Sequence, residues 1–138
     1  MSRPDDRAST LLFFPAALLV MVVLAAITVD FARLHLAQRQ VEDLAAATAN
    51  DAVTVGLDVG GLRAGDDYRL APGRVRAVAA THADHAALPV TVVARLTDPR
   101  SVAVTVAAAV PLAFSRAIPG VPHRVALHGE ARATAHLR

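Results

Sequence analysis

Nineteen consecutive positions, Leu11 to Val29 (LLFFPAALLVMVVLAAITV), carry no charge, and Thr28 is their only polar side chain. A helix of that length rises about 28 Å, close to the hydrocarbon thickness of a bilayer. Twelve of the nineteen are Leu, Ile, Val or Phe. At the usual gain per residue they favour insertion by about 4 to 7 kcal/mol. Asp30 follows directly, where its carboxylate can reach water. The run therefore reads as a transmembrane helix over 11–29. A polar tail of ten residues precedes it, and the chain from residue 30 onward lies outside the cytoplasm. Pro15 removes one backbone bond, which a membrane helix tolerates with a kink, and Ser9 or Thr10 is placed to cap the helix. The alternative is a cleaved secretory signal: MSRPDDR is a charged start, and Val23-Leu24-Ala25 loosely fits a cleavage site. The chain would then be a secreted binding module released near Ala25. The apolar run is longer than an ordinary signal core and has no helix breaker near the cut.

Helical character does not stop at Val29. Residues 30–55 contain neither Gly nor Pro, whereas residues 56–73 contain five Gly and one Pro. Leu34, Ala37, Val41, Leu44, Thr48, Ala52 and Val55 recur at three- and four-residue steps and form one narrow apolar stripe. Arg33, Arg39, Gln40, Glu42, Asp43, Asn50 and Asp51 fill the remaining surface. The pattern predicts one helix from about residue 10 to 56, roughly 70 Å long. Its Ala-rich stripe permits close approach, and two occupants suit it: the downstream sheet of the same chain, or other subunits and assembly proteins. Both are possible at different heights of the helix.

Gly56, Gly60, Gly61 and Gly65 predict a flexible loop ending at Asp66-Asp67, which lacks the alternating oxygen-ligand spacing of a calcium loop. Pro72 suits the first turn of a second helix over about 72–87, with Val75, Val78, Ala79 and His82 on one face. From Leu88 the period becomes two. Val90, Val92, Ala94 and Leu96 alternate with polar or exposed positions, Asp98-Pro99-Arg100 forms a turn, and Val102, Val104, Val106, Ala108 and Val110 continue the alternation. A connection, PLAFSRAIPGVP, offers Phe114 and Ile118 as core plugs. The stretch from Arg124 to His136 alternates once more, with one apolar and one strongly polar face. The expected fold is α+β: a long N-terminal transmembrane and amphipathic helix (11–29 and 30–56), then a small domain (57–138) holding a short helix and a three-stranded antiparallel sheet.

Composition narrows the function. All 14 basic residues are Arg, set against 12 acids, and the chain has one Tyr and four Phe. Three of those aromatics (Phe13, Phe14, Phe31) lie in or beside the apolar run, so the basic face with stacking aromatics that nucleic-acid binding requires is missing. No cysteine is available as a nucleophile, a metal ligand or half of a disulfide. A domain of about 80 residues buries only around 60% of its unfolded surface, so partners or neighbours would help stabilise it.

Chemistry has few places to reside. His82 and His85, three apart with Asp84 between them, can put two nitrogens on one ion, but nothing fixes a third ligand. His123, His128 and His136 fall on or beside the last strand. Ser115, near His123, lacks the Gly-flanked elbow of serine hydrolases. An anchored metal-dependent enzyme is thus a weak alternative. The expectation is a non-enzyme without cofactor or small-molecule substrate.

Arg7-Ala8-Ser9, Val29-Asp30-Phe31-Ala32-Arg33, Gln38-Arg39-Gln40 and the Ala-rich segment from Ala45 to Ala52 resemble the start of TadE/TadG-like proteins of the Flp (tight adherence) pilus system. The likeness covers residues 5–55, and the final strand region also resembles small secreted domains of that family. Pseudopilins of the TadE type carry Gly before the cleavage point and Glu five residues after it; Ala8 and Phe13 stand there here. The resemblance therefore implies a permanently anchored, TadG-like accessory protein of a Flp-type pilus or related secretion apparatus. Its partners would be the lipid bilayer and other assembly proteins or like subunits.

Overall fold

The computed structural model describes residues 5–65, 67–114, 120 and 122–136, with side chains from residue 13 onward. The chain is α+β. Helix α1 (Asp5–Val55) runs unbroken for 51 residues, through Pro15, which at 1.5 Å per residue is about 77 Å. It begins earlier than Ser9 or Thr10, so neither residue is its cap. From Phe13 onward it is long and apolar enough to cross a membrane.

The segment beyond α1 departs from the flexible loop expected there. It contains a short helix, α2 (Val59–Arg63), whose first turn is capped by Asp58: Gly61 N–H donates to Asp58 Oδ1 at 3.1 Å. An aspartate at this position satisfies one of the donors a helix start leaves open. The loop is also tied to the stretch before α3. Asp58 N–H donates to Arg69 O at 3.0 Å and Ala71 N–H donates to Gly56 O at 2.7 Å, flanking a bridge between Leu57 and Leu70. Helix α3 (Pro72–Asp84) starts at Pro72 as expected and stops at Asp84, three residues short of the expected end.

Three strands follow, β1 (Val90–Asp98), β2 (Ser101–Pro111) and β3 (Arg124–Thr134), in an antiparallel sheet of order β1-β2-β3. The β1–β2 turn is built as the sequence implies. Arg100 N–H donates to Asp98 Oδ1 at 2.8 Å, and the register slips between Leu96 and Asp98. That bulge accommodates a turn whose own twist does not match the flanking strands. Leu70 N–H donates to Pro99 O at 2.8 Å, joining this turn to the Gly-rich segment. At its other end the β2–β3 pair extends to Leu112, whose N–H donates to His123 O at 3.0 Å.

The sheet buries one face. Alternate residues Val102, Val104, Val106 and Ala108 of β2, with Leu127 of β3, form the core with α1 and α3. Helix α1 lies across β2 and β3, while α3 covers β1 and also meets α1. The approach of α1 to β3 is close at one point. A Cβ added to Gly129 would lie 2.8 Å from the carbonyl oxygen of Val41, so only glycine lets the helix backbone sit this near the strand.

Candidate functional site

The predicted stripe on α1 divides when placed in the fold. Ala37, Val41, Thr48 and Ala52 are buried, and Leu34 and Leu44 are partly buried against the same core. These positions face the protein's own core, the first of the two occupants that suit the stripe. Val55, at the distal end, is exposed. Ala45 and Ala49 complete the buried row and were not among the expected positions. Thr48 satisfies its hydroxyl locally by donating to Leu44 O at 2.7 Å, as helical threonines in apolar surroundings do.

The histidines take separate partners. His82 Nε2 lies 2.8 Å from Asp51 Oδ2, linking α3 to α1, while His85 Nδ1 lies 2.8 Å from Thr81 O on its own helix. The two rings are thus engaged independently rather than directed at one point. Among the described residues no three His, Asp or Glu side chains are grouped so as to hold a metal ion. The depression containing Asp51 and His82 is also lined by Thr81, whose hydroxyl donates to Ala77 O at 3.0 Å. A broader cleft of about 600 Å³ runs between α3 and β1, lined mainly by apolar residues such as Val75, Ala79 and Leu96, with Arg76 and Arg95 contributing charge. Ser115, Ile118 and Asp66 lie outside the described residues.

Phe114 is not the core plug expected from the sequence: 47% of it is exposed. The reason is a contact no local pattern announces. Both oxygens of the Asp30 carboxylate accept backbone hydrogen bonds from the start of the β2–β3 connection, Oδ1 from Ala113 N–H at 2.9 Å and Oδ2 from Phe114 N–H at 3.1 Å. Ala113 and Phe114 are thereby held against α1 at the last turn of the apolar run, beyond the end of the sheet. Further along, Gln38 Nε2 donates to His128 O at 2.9 Å and to Glu42 Oε1 at 2.7 Å. Asp30 and Gln38 together tie Ala113-Phe114 and β3 to the helix.

Set against protein-family models, curated proteins and solved structures, the chain matches none.

Proposed function

We propose that this protein is a non-enzymatic, single-pass membrane-anchored accessory component of a Flp-type pilus or related secretion apparatus, with its α+β domain outside the cytoplasm. The observation that carries the anchoring is the contrast along α1. Between Phe13 and Val29 the helix exposes Phe, Leu, Ile, Met and Val side chains, with nothing among the described residues covering them. In water such a surface would cost about 25 cal/mol for each Å² left uncovered; in lipid it is at home. The assignment to a pilus or secretion machine rests on the resemblance of residues 5–55 to TadE/TadG-like proteins. Because the domain uses most of the stripe internally, contacts with other components would fall on the remaining exposed surface, including Leu36 and Val55.

Two experiments test the two halves of this reading. A charge at the centre of the run, Val20→Asp, costs about 3 kcal/mol of insertion. The variant should be depleted from the membrane fraction, and wild-type retention there would refute the span. For the assembly role, deleting the gene should remove surface filaments while leaving synthesis of their major subunit intact. Filaments at normal density would rule that role out.

A further inference from the structure

Asp30 places the base of the β2–β3 connection at one level of the molecule, and that level is the end of the apolar run. Ala113 and Phe114 are fastened to Asp30 by their backbone N–H groups, while Phe31, the next residue of the helix, has 72% of its surface exposed. All four phenylalanines of the chain thus stand at the two ends of the run. Phe13 and Phe14 are exposed at one end, and Phe31 and Phe114 at the other. From Phe14 to Phe31 the helix rises about 26 Å, close to the thickness of a hydrocarbon core. Aromatic side chains at such levels pack at the boundary between acyl chains and headgroups.

We propose that the membrane-facing end of the domain, Pro111–Phe114 together with Phe31, rests in the bilayer surface, and that Asp30 is the residue that docks it there. The occupant of this surface is lipid, because the patch is continuous with the span through a single unbroken helix. This inference rests on the reading of 11–29 as a membrane span. Its chemistry is consistent with a poorly hydrated boundary: two backbone donors entering that zone need acceptors, and a carboxylate there needs donors. Each satisfies the other. The domain is then a body fixed at a set height and orientation on the membrane, not a module swinging on a helical stalk.

The chain contains no tryptophan, so single replacements give unambiguous fluorescent reporters. Full-length Phe14→Trp, Phe114→Trp and Val93→Trp variants would be reconstituted in phosphatidylcholine vesicles whose acyl chains are brominated near the headgroup. Phe14→Trp reports the span, and Val93→Trp reports exposed sheet surface. Emission from Phe114→Trp should fall about twofold relative to unbrominated vesicles, as expected for a boundary aromatic, while Val93→Trp stays unchanged. Adding Asp30→Ala to Phe114→Trp should restore most of the emission, with far-ultraviolet circular dichroism unaltered. If Phe14→Trp is quenched but Phe114→Trp behaves like Val93→Trp, the docking is refuted and the anchor stands. If Phe14→Trp is also unquenched, both fall. Persistent quenching in the Asp30→Ala background would remove Asp30 from the docking role.

Discussion

The two halves of α1 obey opposite packing rules on one continuous backbone. From Phe13 to Val29 most side chains are large, apolar and exposed; from Ala37 to Ala52 the inward positions are mostly alanine and buried. Hydrophobicity alone would rank the first half as core and the second as marginal. Burial reverses that order, because size and shape, not hydrophobicity alone, decide what a sheet can approach. Alanines at 37, 45, 49 and 52 bring the helix backbone down onto β2 and β3. Val41 is the larger residue among them, and Gly129 on β3 makes room for it.

The largest test of this difference strikes that close approach. In Gly129→Val the new Cβ would press on the Val41 carbonyl group and side chain, all within 3 Å. Helix and strand must separate, at a cost of about 3 kcal/mol, the upper range for overpacking. For a domain of this size the thermal midpoint should drop by roughly 10 °C or more. A midpoint within a degree of wild type would mean that α1 does not sit on β3 as described.

A matched pair sharpens the contrast further. Val41→Ala and Val22→Ala make the same chemical change on the same helix. Val41 is 1% exposed, so its truncation removes buried methyl groups and leaves a cavity, at about 2 kcal/mol. Val22 is 58% exposed and lies outside the domain's core, so unfolding of the domain in detergent should be unaltered within error. Equal losses at both positions would erase the distinction between the two halves.

How much of this was legible depended on whether the signal was local. Period-two alternation in Val90–Leu96 and Val102–Val110 reports a half-buried sheet directly, and Asp98-Pro99-Arg100 is a turn by its own chemistry, so the hairpin and its inward residues were readable. Ala45 and Ala49 escaped notice because alanine serves equally well on a helix surface and in a core; only the shape of the opposing sheet decides. Helix α2 was hidden by Gly60 and Gly61, although Asp58, three residues before Gly61, carried the capping signal. The Asp30 contact was out of reach altogether. Its partners lie 83 and 84 residues away, and Phe114 looks like a core residue until its backbone is seen tethered at the edge of the apolar run.

The smallest expected effect compares the two ends of the domain. Where Asp30 fastens the end beside the apolar run, Asp58 and Asp98 fasten the far end, each accepting backbone hydrogen bonds. The Gly61 N–H, opposed in part by desolvation and aided by Arg69, whose Nε lies 3.3 Å from Asp58 Oδ2, holds the Asp58 carboxyl below its ordinary value of 3.8. For Asp98 the Arg100 N–H is the leading cause of a shift in the same direction. A carboxyl depressed in the folded state binds a proton more readily when unfolded. Its stabilisation is therefore complete above about pH 4 and fades as the pH falls through the folded value. Asp98 is exposed and Asp58 partly exposed to solvent, so the loss should be modest. Asp58→Asn keeps a capping oxygen but cannot titrate, and should flatten part of the decline in stability between neutral pH and about pH 3. If chemical denaturation followed across that range gives the same slope for wild type and variant, Asp58 does not contribute to the acid sensitivity of this end.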